Sequence, residues 1–266
     1  MRYGFIGCGN MGGAVARAVC RGVGPENVVL ANRTPAKAEA LAEALGCRAA
    51  TNDVVAQDCD VIFLGVKPQM MADMLAGIAP ILAKRSGRFV LVTMAAGLSM
   101  ARVREMAGGA YPIIRIMPNT PVSVGEGLIP YCCNALVQKD VLQDWLGDMA
   151  GCGLLDPLDE TLIDAASALS GSGPAYMYVF LEALADGAVA CGLPRAKAMT
   201  YAAATMAGSA KMLMESGRHP GALKDAVCSP GGSTIAGLRA LENKGFRGAA
   251  MDCIVAAYQK NKDLGK

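Results

Sequence analysis

The chain begins with a short apolar run, Tyr3-Gly4-Phe5-Ile6, that passes directly into Gly7-Cys8-Gly9-Asn10-Met11-Gly12. An alanine-rich helical stretch, Gly13 to Arg21, follows at once. Strand, glycine loop and helix in this order constrain the fold more than any other feature of the sequence. Gly7 permits a tight turn, Gly9 lets backbone approach a pyrophosphate, and Gly12 lets helix and strand pack closely. The phosphates would sit at the positive end of the helix, so Gly7, Gly9, Asn10, Met11 and Gly12 form the expected dinucleotide loop.

The second strand, Val28-Val29-Leu30-Ala31, ends in Asn32-Arg33-Thr34. A site for NAD usually places an acid there to take the ribose hydroxyls. Here a guanidinium lies between an amide and a hydroxyl, which suits a 2′-phosphate. The expected cofactor is therefore NADPH, with NADH weaker and Arg33 as the main contact. The plainer reading of Arg33 is a solvated residue beginning a helix, with Thr34 as cap and Pro35 first in the helix.

The first half alternates strands and helices. After the second strand comes a helix over Pro35 to Leu45, then a short strand near Arg48 to Ala50. Further strands are expected at Val61 to Leu64, Phe89 to Thr93, Ile113 to Met117 and, at an edge, Leu154-Leu155. This spacing predicts βαβ units in a doubly wound sheet. From Leu158 onward no strand pattern is visible. Helices are expected at about Ala175 to Cys191, Arg195 to Glu215, Leu238 to Asn243 and Phe246 to Lys262, with stop signals at Gly192-Leu193-Pro194 and Gly217 to Gly221. The division expected is 1–156 for the dinucleotide-binding domain and 157–266 for the helical one.

The second half is apolar or small on nearly every helical side, most clearly from Lys197 to Met214. Helices of that kind cannot bury all their faces alone, so an obligate homodimer through this region is expected. With 266 residues, 53% apolar and net charge +2 without a basic block, the chain gives no sign of a nucleic-acid partner. The longest uncharged run, Ala165 to Leu181, is broken by Gly171-Ser172-Gly173-Pro174 and does not read as a membrane span. No signal peptide is visible before Tyr3.

The ten cysteines include no C-x-x-C pair. Cys8, Cys20, Cys59, Cys191 and Cys253 lie in apolar segments and read as small core hydrophobes in a reducing cytoplasm. No metal site is expected, at Cys132-Cys133 or elsewhere. The single histidine, His219, lies in Arg218-His219-Pro220-Gly221, which reads as turn chemistry.

Four more segments fall where a nucleotide enzyme would use them. Val66-Lys67-Pro68-Gln69 follows a buried strand, and strand carboxyl ends line the ligand crevice of such a sheet; a solvated lysine is the plain alternative. Ala95-Ala96-Gly97 leaves room beside the backbone for a flat ring, or simply packs a loop. In Met117-Pro118-Asn119-Thr120-Pro121, two prolines stiffen a loop carrying an amide and a hydroxyl. Ser229-Pro230-Gly231-Gly232-Ser233-Thr234 opens a helix from Ile235 as a glycine nest suited to a carboxylate or phosphate. No nucleophile–base dyad or carboxylate pair emerges. A nicotinamide cofactor would carry the hydride, and an imine, able to arrive protonated, is a fitting acceptor.

Together, Gly4-Phe5-Ile6-Gly7-Cys8-Gly9-Asn10-Met11, Val66-Lys67-Pro68-Gln69, Met117-Pro118-Asn119-Thr120-Pro121, Leu169-Ser170-Gly171-Ser172-Gly173-Pro174-Ala175-Tyr176 and the Ser229–Thr234 run resemble the pyrroline-5-carboxylate reductase family, in order and nearly end to end. The resemblance implies an α/β fold: an N-terminal doubly wound Rossmann domain, then an all-α C-terminal dimerisation domain. It implies reduction of 1-pyrroline-5-carboxylate by NADPH to L-proline, the last step of proline synthesis. By position, the substrate carboxylate would rest on N–H groups of Gly232, Ser233 and Thr234, with the Thr234 hydroxyl on the ring nitrogen. Asn119 and Ala95, Ala96 and Gly97 would lie near the nicotinamide, Asn52 with Asn32, Arg33 and Thr34 near the adenosine end, and Val66, Lys67 and Pro68 along the cofactor. It also implies pairing of two helical domains and, in many members, a larger ring of dimers. Gly12 stands where Ala is frequent and Ser233 where Thr or Ala is frequent. Competing readings are a β-hydroxyacid-type dehydrogenase, a reductase of a related cyclic imine acid, and a non-catalytic NADP(H)-sensing module.

Overall fold

A computed structural model describes residues 1–264. The chain divides into two compact units: Met1–Ser172 together with the residues from Ala257 onward, and Gly173–Ala256.

The first unit follows the order β1 Tyr3–Ile6, α1 Asn10–Val23, β2 Val28–Ala31, α2 Pro35–Leu45, β3 Arg48–Ala49, α3 Asn52–Asp58, β4 Val61–Leu64, α4 Met71–Leu82, β5 Val90–Thr93, α5 Met100–Ala107, β6 Ile113–Ile116, β7 Gly127–Cys133, α6 Lys139–Met149, β8 Gly153–Pro157 and α7 Ile163–Ser170. The strands form one sheet in the order β3-β2-β1-β4-β5-β6-β7-β8. β1, β2, β4, β5 and β6 are each four residues long and buried throughout. Continuous apolar runs of this kind belong to parallel strands covered by helices on both faces. Phe5 and Phe63 stand opposite in register and stack at 4.4 Å. They anchor one core with Trp145 and Val19, while Ile62, Leu64, Leu75 and Val103 build the other.

Local chemistry sets the helix ends. Pro35 stands at the first position of α2, where its missing N–H costs no bond, and Gly46 closes that helix at φ 70°. Thr34 precedes α2, but its hydroxyl makes no capping bond. Ser99 caps α5 by accepting from Arg102 N at 3.2 Å.

Two differences from the sequence reading matter. β7 was not expected: it runs antiparallel to β6, pairing Ile114 with Cys133 and Arg115 with Cys132, and parallel to β8. Pro130 sits inside it and accepts from Met117 N at 2.9 Å. In addition, Cys191 is exposed and Cys8 and Cys253 are half-buried, so these three are not the fully buried core thiols expected, whereas Cys20 and Cys59 are buried.

The second unit contains α8 Gly173–Ala190, α9 Arg195–Ser216, α10 Pro220–Ala226, α11 Ser233–Asn243 and most of α12 Phe246–Leu264. α10 replaces what reads as a plain stop signal: Pro220 opens it, and His219 Nδ1 accepts from Gly221 N at 3.1 Å. α7, too, was not expected. Within Gly173–Ala256 only Gly173, Ala185 and Ala198 are buried. Val179, Met214, Met251 and Val255 are 68%, 75%, 64% and 64% exposed. A helical unit with three small buried residues has too little core to hold itself together as a single copy. No described helix is long and apolar enough to cross a membrane.

Candidate active site

β1 is flanked by β2 on one side and β4 on the other, so the chain changes direction across the sheet at β1. A doubly wound sheet opens its ligand crevice at the carboxyl ends of strands beside such a point. Gly7 prolongs β1 there, with φ +104° and its N–H on the Ala31 carbonyl at 2.8 Å. Gly65 prolongs β4 in the same way, donating to Ile6 O at 2.8 Å. A Cβ on Gly12 would stand 2.1 Å from Gly7 O, and one on Gly65 would stand 2.5 Å from the same oxygen. Three backbones therefore meet where a Cβ would force the chain to shift. Gly9 is the opposite case, because a Cβ there would meet nothing within 4 Å. That open space lies over the start of α1, which no side chain caps and whose first turn holds no acid. The first-turn N–H groups of Asn10, Met11 and Gly12 have no intrahelical acceptor. This cradle fits a phosphate.

Asn32 ties this loop to the end of β2. Its Oδ1 accepts from Cys8 N at 3.1 Å, and its Nδ2 donates to Thr34 O at 3.1 Å. Burial pushes the Cys8 thiol up to about 11, so it remains neutral beside the loop. Arg33 is exposed and reaches across the crevice to within 3.9 Å of Met70 Sδ. Asn52 opens α3 and is half-buried, behind Thr51, whose Oγ1 accepts from Val54 N. Val66 lies at a bend beyond β4, Lys67 is extended, and Pro68 starts a 3-10 turn over Pro68–Met70.

Ala95 points into the core at 2% exposure, whereas Ala96 and Gly97 are half-buried, with Gly97 at φ +73°. The loop thus offers the crevice backbone and one methyl group. Asn119 follows β6 and is 8% exposed. Its Oδ1 accepts from Leu128 N at 2.9 Å, an anchoring bond to β7 that the sequence did not reveal. All these segments occupy strand carboxyl ends of one sheet or the loop and helix start next to them.

In the second unit, Gly231 adopts φ +71° and Gly232 N donates to Ser229 O at 3.0 Å. The Gly232 N–H is therefore used in closing the turn, which changes the expected set of three donors. The N–H groups of Ser233 and Thr234, at the uncapped start of α11, have no intrahelical acceptor. Both residues are exposed.

One group that the sequence reading passed over stands out. Arg115 on β6 is 3% exposed and pairs with Glu160 at 3.2 Å and Asp164 at 3.0 Å. The signal was present: a lone charge in Ile113-Ile114-Arg115-Ile116 must find acids when the strand is buried.

A glycine-lined switch-point crevice, joined in one chain to an all-helical unit with an uncapped glycine turn, defines a dinucleotide-binding oxidoreductase. Residues 160–264 match the family described as pyrroline-5-carboxylate reductase dimerisation, and residues 2–97 match NADP oxidoreductase, coenzyme F420-dependent. The chain belongs to the pyrroline-5-carboxylate reductase family. It is 41% identical over 268 residues to the pyrroline-5-carboxylate reductase of Escherichia coli (strain K12), covering 100% of this chain and 98% of that protein. It is 40% identical over 267 residues to that of Pisum sativum, covering 98% and 95%. Among solved structures, Plasmodium falciparum pyrroline carboxylate reductase with NADP bound superposes with TM-score 0.89 at 33% identity, covering 100% of this chain and 98% of that one. The Coxiella burnetii pyrroline-5-carboxylate reductase gives 0.88 at 30%, with 100% and 98% covered.

Proposed function

We propose that this protein reduces the C=N bond of 1-pyrroline-5-carboxylate with NADPH, giving L-proline. Identity to pyrroline-5-carboxylate reductases over the full length of the chain carries the reading. The open cradle at Gly9 and the absence of an acid at Asn32-Arg33-Thr34 support the choice of cofactor.

The residues divide the work. Gly9, Asn10, Met11 and Gly12 present backbone N–H groups to the pyrophosphate, and Gly7, whose own N–H is held by Ala31 O, shapes the turn of the loop. Arg33, with Asn32 and Thr34, takes the 2′-phosphate, and Asn52 borders the adenosine. Val66, Lys67 and Pro68 line the cofactor, with Lys67 toward phosphate or ribose. Ala95, Ala96, Gly97 and Asn119 flank the nicotinamide. When bound, the cofactor would supply a hydride to the carbon of an imine that arrives already protonated, and the ring nitrogen keeps the electron pair of the broken π bond and so becomes the neutral amine. Ser233 and Thr234 hold the substrate carboxylate on their N–H groups, with Gly232 shaping the turn. The Thr234 hydroxyl bonds to the ring nitrogen and orients the imine.

The same reading makes the protein a homodimer paired through its helical unit. The matching dimerisation family and the exposed Val179, Met214, Met251 and Val255 support it. A ring of such dimers is the finer expectation. Ten cysteines, none in a disulfide, support a reducing cytoplasm as its place. The domain boundary we propose lies at 156/157.

The test is oxidation of NADPH by purified protein on addition of 1-pyrroline-5-carboxylate, with NADH and the six-membered cyclic imine acid run in parallel. Turnover fastest with NADPH and the five-membered ring supports the reading. Faster turnover of the six-membered acid would reassign the substrate.

A further inference from the structure

The loop Met94–Ser99 runs between β5 and α5 and is fastened at both ends. At its start, Thr93 Oγ1 accepts from Ala95 N at 3.4 Å. At its end, Glu160 Oε1 accepts from Met100 N at 2.7 Å. Met100 is the first residue of α5, so its N–H is among those no helix satisfies internally. Glu160 is 60 residues further on, outside the sheet, where the match to the dimerisation family begins. The same Oε1 receives Arg115 Nη1 at 3.2 Å, and Arg115 Nη2 reaches Asp164 at 3.0 Å. Arg115 is itself fixed in the sheet, opposite Thr93 on one side and Cys132 on the other.

We propose that Glu160 is a positioning residue for hydride transfer: held by Arg115, it fixes the Ala95-Ala96-Gly97 loop through Met100 N. The inference rests on the proposed place of that loop beside the nicotinamide. A carboxylate at a helix start is held by charge as well as by a hydrogen bond. Here it is also pinned by a buried guanidinium that has no other acids within reach than Glu160 and Asp164 among the described residues. Gly97, with φ +73°, turns the loop through a conformation open to glycine, and the two end bonds limit how far the loop can stray. A nicotinamide ring stacked on a loose loop would sample fewer productive distances, and errors of an ångström are costly in rate.

The test separates this role from simple support of the fold. Glu160→Ala removes the acceptor for Met100 N. Met100→Pro removes the N–H along with the methionine side chain and leaves Glu160 in place, at a helix position where proline is favoured and after Ser99, already extended at ψ 159°. Met100→Ala controls for the lost side chain. Asp164→Asn removes the second acid from Arg115 but leaves Glu160 on both Arg115 and Met100 N. Glu160→Ala and Met100→Pro should each lower kcat about 10-fold, with KM for both substrates within about threefold of the parent. The isotope effect with NADPH deuterated at the transferred position should rise, because chemistry becomes slower. In protein without nucleotide, amide exchange across Leu98 to Met100 should quicken about 10-fold in Glu160→Ala and remain at the parent rate in Met100→Ala and Asp164→Asn. Unchanged kcat and exchange in Met100→Pro would overturn the proposal, even if Glu160→Ala fails to fold. Equal losses in Met100→Pro and Met100→Ala, or in Glu160→Ala and Asp164→Asn, would overturn it too. Absence of imine-dependent NADPH oxidation by the parent would overturn the proposed function instead, while the exchange rates would still report on the loop.

Discussion

Gly7 and Gly65 meet backbone to backbone: a Cβ on Gly7 would stand 2.7 Å from the Gly65 carbonyl, and one on Gly65 would stand 2.5 Å from Gly7 O. No flexible side chain lies between them to give way. Gly65→Ala must therefore push the glycine loop off the end of β4. We expect a loss of about 1–3 kcal/mol in stability, as for overpacked interiors, and a rise in KM for NADPH larger than that for the imine. Thermal melting and steady-state kinetics with each substrate varied would check this. An unchanged KM for NADPH would mean the loop does not depend on this contact.

Arg33 carries the cofactor choice in our reading. Arg33→Ala should lower kcat/KM with NADPH by roughly 10–100-fold, the scale of a lost charge-assisted hydrogen bond, and leave NADH little changed. The ratio of the two values is the measurement. A ratio equal to that of the parent would remove Arg33 from cofactor discrimination.

Thr234 is exposed at the start of α11, with no structural bond to its hydroxyl among those of the described residues. Thr234→Ala should cost little stability but lower kcat/KM by roughly 100-fold if its bond forms mainly in the transition state. Thr234→Ser should recover most of the rate. Equal activity in the alanine variant would leave the carboxylate-binding turn in place but take Thr234 out of the mechanism.

The segments that announced themselves in the sequence are those whose signal is local. Val61-Ile62-Phe63-Leu64 and Val28-Val29-Leu30-Ala31 are buried strands because nothing in them tolerates water, and α2 begins at Pro35 as its fixed φ demands. β7 was hidden because Pro130 interrupts it and its residues do not alternate, while its pairing with β6 depends on residues far away in the chain. The glycine loop was readable for the same local reason as β1. The spent N–H of Gly232 was not, because it depends on which way a turn closes. Asn119 carried a visible amide, but its bond to Leu128 N needed the fold. Nor does any window of sequence connect Glu160 to Met100.

The pH dependence should be one-sided in the alkaline range. Tyr3 is fully buried and donates its phenol to Asp148 Oδ2; burial, then Asp148, raises its pKa well above the ordinary tyrosine value. Burial likewise pushes Cys59 up to about 12. The folded state thus holds these protons more tightly than the unfolded chain does. Their contribution is complete below the unfolded values, about 8.5 for Cys and 10 for Tyr, and is lost as pH rises past them. Denaturant midpoints measured across this range should fall steadily. In Tyr3→Phe the midpoint should start lower, since Asp148 loses a donor, and fall less steeply above about pH 10.

The helical unit should not exist as a free single copy. Sedimentation at micromolar concentrations should give twice the chain mass of 27.4 kDa or a multiple of that. A monomer whose mass does not change with concentration would contradict the pairing.

α12 leaves the second unit at Ala256 and finishes within the first, where Asn261 Nδ2 donates to Asp164 O at 3.1 Å. The last described turns of α12 are therefore built into the first unit. Shortening the chain into these turns, or fusing a bulky tag close to them, would not trim an appendage. It would act on the helix whose partner, Asp164, also holds Arg115 in the sheet. A fusion for purification or display is better placed after a spacer or elsewhere, and a protease that nibbles inward should inactivate the enzyme before it reaches any residue that touches substrate.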